Sequence, residues 1–358
     1  MNFRLKNISL LFVSIFVALA LGELSLRRTP PDWRPFLSFP PVQQTHSEPS
    51  ADPVLRYIPK ANAQGPFASH EFRTYVSINS QHMRDREYSI EKPAGTLRIA
   101  AMGDSFVFGW GVEAEESVSK LLEQRYMKNV PVMNFGISGY CSNQILEWLK
   151  TQALQFQPDI VLFFIEGDPS TCVTDVKFEN GRMYWAWLPR ERITERWRSF
   201  LMRHSYLFSF LSTTISDLRI RLRHILKKQP ELPNSAPDLR QGFDILEELD
   251  TLSREKGFTP VIVHFHDDHE VQTGFNPLEE LQFEALKIFC RQKHLHFLDL
   301  MGPLRKEWER TGRSPYFHYD PHWNKLGHEI AAKEIAAYLR REGILGTDRF
   351  QDFKVDGG

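Results

Sequence analysis

Three side chains in this sequence have the chemical types and surroundings that serine-based acyl chemistry requires. Ser105 follows a short apolar run, Ile99–Met102, which predicts a buried strand, and it lies on a turn that begins at Gly103. A serine hydroxyl needs a base to accept its proton, and the base needs a carboxylate that holds its tautomer. Asp320 and His322 supply both groups from one short loop. The sequence therefore predicts a Ser105–His322–Asp320 triad.

A serine nucleophile also needs N–H donors aimed at the oxygen on which negative charge develops. The amide of Ser105 is one expected donor. Gly139 follows a second predicted strand, Val130–Phe135, and has no Cβ to keep its amide away from a ligand. A third donor is expected where the third strand ends, at Ile165–Asp168.

Apolar runs and helical patterns alternate along most of the chain, and this alternation predicts the fold. Five strands are predicted at 99–102, 130–135, 158–165, 260–265 and 296–300. Helices are predicted at 115–125, 144–154, 239–256, 278–292 and 329–341. Strands that alternate with helices form βαβ units, so we expect a parallel sheet in a flavodoxin-like or doubly wound α/β fold.

The ends of the chain and one internal stretch lie outside this alternation. Arg4 and Lys6 precede an apolar run, Ile8–Leu21, which indicates an uncleaved membrane anchor over 1–28 or, alternatively, a cleaved signal peptide. Residues 29–71 are rich in proline and serine and predict a spacer, and 346–358 predict a tail. The main domain is expected at 72–345.

An insertion into that domain is predicted at about 173–234. Its first part contains a hairpin turn at Glu179–Arg182, followed by an aromatic strand at Met183–Trp187. A basic helical stretch at 193–228 follows; we favour an insertion packed over the domain, the alternative being a helix on a membrane surface. The net charge of −1 over 358 residues does not favour a nucleic-acid partner.

The sequence resembles the SGNH/GDSL hydrolases over about residues 72–340. Four blocks match that family in order: Gly103–Ser105, Asn134–Gly139, the strand end before Asp168, and Asp320–His322. The resemblance implies a three-layer α/β/α sandwich, ester hydrolysis or acyl transfer through an acyl-serine, and no metal or other cofactor. It makes Ser105 the nucleophile, His322 the base and Asp320 its orienting acid. Ser105 and Gly139 become oxyanion donors.

Two positions depart from the family pattern. The family usually has Asn-Asp at the third strand end, where the asparagine side chain donates to the oxyanion, whereas this chain has Gly167-Asp168. Gly167 offers only its amide, unless Asn143 or another group substitutes. The spacing Asp-x-His, followed by Trp323, resembles the membrane-tethered arm that includes exported polysaccharide O-acetyltransferases. The lead-in Ile78–Ser80 through Arg84-Asp85 fits that arm too.

Two further groups of residues raise the questions of a disulfide bond and of a metal site. Cys141 and Cys172 each follow a predicted strand of one sheet, which allows a disulfide in an exported protein, with two free thiols as the alternative and Cys290 as a core residue. His264, His266 and His269 lie close to Asp267 and Asp268, but only His264 and His266 would point the same way from a strand. A metal site is therefore not predicted.

The leading interpretation is an exported, membrane-tethered esterase or acyltransferase that acts on O-acyl groups, acetyl above all, of a cell-surface carbohydrate. Polysaccharide-assembly proteins are its expected partners. The alternative is a protein without turnover that binds glycan or partner proteins, and the missing asparagine at Gly167 motivates it.

Overall fold

The computed structural model describes residues 2–28, 46–69, 71–167, 169, 176–179, 182–185, 201, 204–208, 210–212, 214–215, 240–318 and 320–350. The chain divides into two compact units. The first comprises Met1–Gln43, Ala68–Arg73 and Leu188–Lys228, and the second comprises Gln44–Phe67, Thr74–Trp187 and Gln229–Gly358. All of the predicted site residues belong to the second unit.

The strands of the described part of the chain are numbered in chain order. They are β1 (Ser47–Pro49), β2 (Tyr57–Pro59), β3 (Gln64–Ala68), β4 (Arg73–Ser77), β5 (Ile99–Gly103), β6 (Val132–Gly136), β7 (Ile160–Glu166), β8 (Val176–Glu179), β9 (Arg182–Trp185), β10 (Thr259–Phe265) and β11 (His296–Asp299). Pairs β1–β2, β3–β4 and β8–β9 form small two-stranded sheets.

Described α-helices are numbered in the same way. They are α1 (Asn2–Arg27), α2 (Ser105–Phe108), α3 (Val118–Leu121), α4 (Ser142–Thr151), α5 (Arg240–Lys256), α6 (Asp268–Thr273), α7 (Pro277–Gln292), α8 (Met301–Thr311) and α9 (Lys325–Arg341). In the described residues, no helix is both long and apolar enough to cross a membrane.

A five-stranded sheet forms the centre of the second unit, in the order β11-β10-β7-β5-β6. Each neighbouring pair is parallel. Along the chain this is the 2-1-3-4-5 order of flavodoxin-like folds, in which ligands bind beyond the carboxyl ends of the strands where the order reverses. Here that point lies between β5 and β7. The predicted parallel α/β fold is confirmed.

Both faces of the sheet are covered by helices, because alternate residues of each buried strand point to opposite sides. On one face, Ile99 and Ala101 of β5 pack in a core that includes residues of α3, α8 and α9. On the other face, Ala100 and Met102 pack in a core that includes residues of α4, α5 and α7. The result is the expected three-layer α/β/α arrangement.

The predicted spacer over 29–71 needs correction in its described part. Strands β1, β2 and most of β3 belong to the second unit. Leu55, Tyr57 and Phe67 are buried there. These apolar residues are isolated among prolines and polar residues, so they form no periodic pattern that the sequence would reveal. Part of the tail predicted at 346–358 also packs against the second unit. Phe350 is buried, and Lys128 N–H donates to Arg349 O at 2.7 Å.

Several helices depart from the sequence predictions, among them short helices α2 and α6, which were not predicted. The helix predicted at 115–125 is a 3-10 turn (Ala114–Glu116), then α3, then a π turn (Leu122–Tyr126). Ser117 interrupts it, because its hydroxyl donates to Ala114 O at 2.7 Å. Helix α8 was not expected, since Gly302 and Pro303 look like breakers, but both lie in its first turn, where proline is tolerated. Helix α9 begins four residues before the predicted Glu329, capped by Asn324.

The insertion at 173–234 lies mostly outside the described residues. Strands β8 and β9 pair antiparallel and confirm the hairpin predicted around Glu179–Arg182. Most of the basic stretch at 193–228 and the spacer residues 29–45 lie outside the described part of the chain.

Candidate active site

Ser105 is the first residue of a short helix that follows β5 directly. Asp104 caps this helix, its carboxylate accepting the N–H of Phe106 at 2.9 Å. The chain turns away again at Gly109. Ser105 is only 7% exposed. The strand-to-helix turn thus presents the hydroxyl at the carboxyl edge of the sheet, at the point where the strand order reverses.

The structure brings Ser105, His322 and Asp320 together as predicted. The Oγ of Ser105 lies 2.7 Å from Nε2 of His322. On the other side of the ring, Nδ1 of His322 pairs with Oδ1 of Asp320. With Nδ1–H donated to the carboxylate, Nε2 carries the lone pair that can accept the serine proton. This is the geometry of a nucleophile, a base and an orienting acid.

The short Asp-x-His spacing is sufficient to form this pair. Oδ1 of Asp320 also accepts the backbone N–H of His322, at 3.1 Å, so one carboxylate oxygen holds both the backbone and the ring. Burial by itself would raise the pKa of Asp320, but the hydrogen bond and charge of His322 outweigh burial, and this pKa lies below its ordinary value. The acid therefore stays ionised while it orients the base.

A tryptophan that no motif indicated completes the site. Nε1–H of Trp110 donates to Oδ2 of Asp320 at 3.0 Å. The Trp110 ring also stacks on His322, with ring centres 5.0 Å apart and planes 22° apart. Phe106 lies 5.0 Å from the same imidazole. Trp110 thus orients both the acid and the base.

A buried arginine holds the loop that carries Trp110. The guanidinium of Arg84 donates to the carbonyls of Phe108, Gly109 and Val112. Burial lowers the pKa of Arg84 to about 10. Although the lead-in containing Arg84 resembles the family, the sequence does not indicate that this side chain would support the loop after Ser105.

Replacing Trp110 with phenylalanine tests its positioning role. Phenylalanine keeps an aromatic ring against His322 but removes the donor to Asp320. A hydrogen bond to a charged group contributes about 1.5–3 kcal/mol, so we expect kcat on an aryl acetate to fall by about tenfold or more, with KM unchanged. Trp148→Phe is the control, because Trp148 is buried and its Nε1–H has no hydrogen-bond partner among the described residues. Equal kcat values for the two variants would contradict the role.

Ser105, Gly139 and Gly167 follow the ends of the neighbouring strands β5, β6 and β7, but the amide of Gly167 is already used. Gly139 has φ +82° and sits in a turn closed by Tyr140 N–H to Ile137 O at 3.2 Å. Asn143 is in the first turn of α4. The amide of Gly167, however, donates to Phe265 O at 3.3 Å, so it does not serve as the missing donor. The roles of Ser105, Gly139 and Asn143 toward an oxyanion stay predictions.

Two carboxyl groups beside the triad have raised pKa values. Burial raises the pKa of Asp104 to about 7. Glu166, the last residue of β7, is exposed at the carboxyl edge of the sheet. Desolvation, followed by the negative charge of Asp104, raises the pKa of Glu166 to about 8, against a smaller opposing effect of His322.

These pKa values predict how stability depends on pH. Because both folded-state pKa values lie above the ordinary ones, the two carboxyls contribute stability that is complete below about pH 4 and is lost as the pH rises through about 7 to 8. We therefore expect the stability of the parent chain, relative to that of Asp104→Asn, to decrease as the pH rises from about 5 to about 8; the asparagine can still cap α2. Urea unfolding of both proteins across this pH range measures their free energies of unfolding. If the two pH profiles are parallel, the raised pKa of Asp104 is contradicted.

The cysteines agree with part of the disulfide hypothesis. Cys141 is disulfide-bonded, and Cys290 is a buried free thiol. Cys172, the predicted partner, lies outside the described residues, as does Asp168. The pairing Cys141–Cys172 therefore stays a prediction, which non-reducing peptide mapping can test.

The fold and the site together define a flavodoxin-like α/β protein with a Ser-His-Asp triad. No protein-family model matches the sequence, and a comparison with curated proteins gives no match.

Among solved structures, the chain is similar to several proteins. One is a lipolytic protein of the G-D-S-L family from Veillonella parvula, with 14% identity, TM-score 0.40, and coverage of 69% of this chain and 100% of that one. An acetylxylan esterase from Geobacillus stearothermophilus has 15% identity and TM-score 0.40, covering 70% and 96%. A lipase/acylhydrolase from Enterococcus faecalis has 13% identity and TM-score 0.40, covering 73% and 100%.

Proposed function

We propose that the chain is an SGNH-type serine esterase or acyltransferase that works through an acyl-Ser105 intermediate. The observation that carries this proposal is the 2.7 Å contact between Ser105 Oγ and His322 Nε2, on an imidazole whose Nδ1 is held by Asp320. The same constellation activates serine on unrelated folds, so it is recognised by geometry and not by sequence position.

The geometry assigns each proton of the reaction. Ser105 Oγ attacks the ester carbonyl carbon while His322 Nε2 takes the hydroxyl proton, and Asp320 stabilises the imidazolium that forms. His322 then returns the proton to the departing alcohol, which leaves the acyl group on Ser105. Water or a sugar hydroxyl then attacks this ester while His322 takes its proton. The Ser105 Oγ–acyl bond breaks, His322 returns the proton to Oγ, and the acid or the transferred ester is released.

The proposal also covers the class of substrate and the location of the protein. Asp320, His322 and Trp323 resemble the arm of the family that includes polysaccharide O-acetyltransferases, which supports an acetylated carbohydrate as the substrate. Arg4 and Lys6, before the apolar run Ile8–Leu21, support an exported and membrane-tethered protein. Polysaccharide-assembly proteins would then be its neighbours.

The test uses the full purified chain with an aryl acetate and with acetylated xylo- and manno-oligosaccharides. Acetate release and acetylation of an added non-acetylated oligosaccharide are measured together. We expect an acetylated peptide containing Ser105 in quenched reactions analysed by mass spectrometry. Acetate release alone identifies an esterase, and a transferred acetyl group identifies a transferase. Neither product, and no acetyl-serine, would overturn the proposal.

One observation favours a second candidate, a glycan-binding protein without turnover. The third donor of the family pattern is missing, since residue 167 has no side chain and its amide already donates to Phe265 O. Loss of one oxyanion donor costs about 10²–10³ in kcat. Glycan binding that survives without any acetyl-serine would favour this candidate.

Replacing Gly167 with asparagine tests the missing donor directly. Gly167 has φ +60°, which asparagine tolerates, and a Cβ there would meet nothing within 4 Å. We expect kcat to rise by about tenfold. Gly343→Asn is the control, because Gly343 has φ +65° and equally open surroundings away from the triad. A gain in both variants, or in neither, would contradict a missing donor at this position.

A further inference from the structure

A second cluster of ionisable side chains lies at the ends of β10 and β11, apart from the triad. His264 of β10 and Asp299 of β11 are directly opposite each other. His266 lies two residues after His264, just beyond the end of β10. Both histidines are 1% exposed, whereas the Asp299 side chain is 26% exposed. One ligand atom from each of the three residues lies within 4.8 Å of the others.

The hydrogen bonds of the two imidazoles identify which nitrogen atoms face the Asp299 carboxylate, where a cation would bind. Nε2 of His264 lies 2.6 Å from Gly167 O, so it carries the proton and donates, and Nδ1 presents a lone pair. That lone pair faces Oδ1 of Asp299 at 3.4 Å, which places two acceptors against each other. A proton or a metal ion between these two atoms makes the contact attractive.

His266 contributes a second nitrogen to the same point. Its Nε2 lies 2.7 Å from Oδ1 of Asp299, and its Nδ1 lies 3.2 Å from Oε2 of Glu270. Both ring nitrogens of His266 therefore face carboxylates. Nε2 presents a lone pair to a metal ion when Nδ1–H is donated to Glu270 and the ion replaces the proton between Nε2 and Asp299. Donation of the second ring N–H to a carboxylate or a backbone carbonyl is what orients histidines that bind metal ions.

We propose that His264 Nδ1, His266 Nε2 and Asp299 bind a divalent transition-metal ion, with Zn²⁺ as the best match. Two imidazoles and one carboxylate form a donor set that suits zinc and related first-row ions. Ligand atoms around tetrahedral zinc lie about 3.3 Å apart. The separations here are 2.7 Å and 3.4 Å to Asp299 Oδ1 and at most 4.8 Å overall, so small side-chain movements bring the three atoms around one ion. The carboxylates of Asp299 and Glu270 balance two positive charges, and the exposed side of Asp299 leaves a route for entry.

The ion would act on the fold and not on the acyl group. Strands β10 and β7 separate β11 from β5, which leads to Ser105. One link toward the triad is the carbonyl of Gly167, which His264 holds at the end of β7. We therefore expect the metal to stabilise this strand end, without itself touching the ester.

The experiment measures metal content and binding in the full chain, purified without a histidine tag. After dialysis against Zn²⁺ and then against metal-free buffer, we expect one zinc per chain by elemental analysis and a higher Tm than in chelator-treated protein. Asp299→Asn, which preserves shape, and His266→Gln should each lower the zinc content by at least tenfold. His269→Ala, a histidine on the adjacent α6, should retain it.

Cobalt substitution gives a readout that folding defects do not imitate. The visible absorption of Co²⁺ bound by nitrogen and oxygen ligands should appear in the parent chain and in His269→Ala, but not in the Asp299 and His266 variants. Circular dichroism confirms that each variant is folded. Zinc content that is equal in all four proteins, or absent from the parent chain, would overturn the proposal, and in the second case a proton shared by His266 and its two carboxylates occupies the cluster.

Discussion

Replacing Ser105 with alanine is expected to lower kcat/KM for an aryl acetate by a factor of about 10⁵ to 10⁶. The reason is that Ser105 supplies the atom that forms the covalent intermediate. His322 Nε2, 2.7 Å from that atom, then has no proton to accept. Rates of acetate release by the two proteins at equal concentration measure the effect, and the acetylated peptide should be missing from the variant.

The matched control is Ser119→Ala. Ser119 is a buried serine on α3 that interacts with the Ser117 hydroxyl at 3.2 Å, outside the triad. It should keep at least half of the parent activity. If Ser105→Ala retained more than about one percent of the parent rate, Ser105 would not be the nucleophile. The binding candidate would then be preferred, provided that glycan affinity is unchanged.

The sequence was sufficient for the sheet and the triad because both depend on local patterns. Strands β5, β6, β7 and β10 are largely buried and mostly apolar, whereas the edge strand β11 is short and partly exposed. The parallel arrangement follows from the helices between the strands. Ser105 and the loop with Asp320 and His322 carry their own short motifs. Their meeting then follows from one rule, that reactive groups of open α/β sheets lie beyond the carboxyl ends of the strands.

The supporting residues could not be predicted because their partners are distant in sequence and belong to no motif. Trp110 and Asp320 are 210 positions apart, and only the folded loop brings the indole N–H to the carboxylate. Asp299 completes the histidine cluster through strand register, 33 residues beyond His266. The apolar residues between 46 and 69 are buried one at a time, so they form no periodic pattern from which strands could be predicted. In each case tertiary packing, and not local preference, decides the position.

Replacing Gly136 with alanine should have the largest effect on stability among the substitutions considered. Gly136 ends β6, where α2 crosses it, and a Cβ there would lie 2.1 Å from the backbone nitrogen of Phe108 and 2.6 Å from the carbonyl carbon of Val107. These are main-chain atoms, so no side-chain rotation can relieve the overlap. Overpacking of a core costs about 3 kcal/mol at the upper end of the usual range, so we expect at least that loss in urea unfolding.

Gly302→Ala is the control for this substitution, because a Cβ at Gly302 meets nothing within 4 Å and alanine favours the helix that it joins. Its stability should be equal to or above that of the parent chain. The Gly136 variant should also lose activity in conditions where it is still folded. Accommodating the methyl group increases the distance between the end of β6 and α2, and Ser105 is the first residue of that helix. Full activity in a folded Gly136→Ala protein would show that the position of Ser105 does not depend on the close contact between β6 and α2.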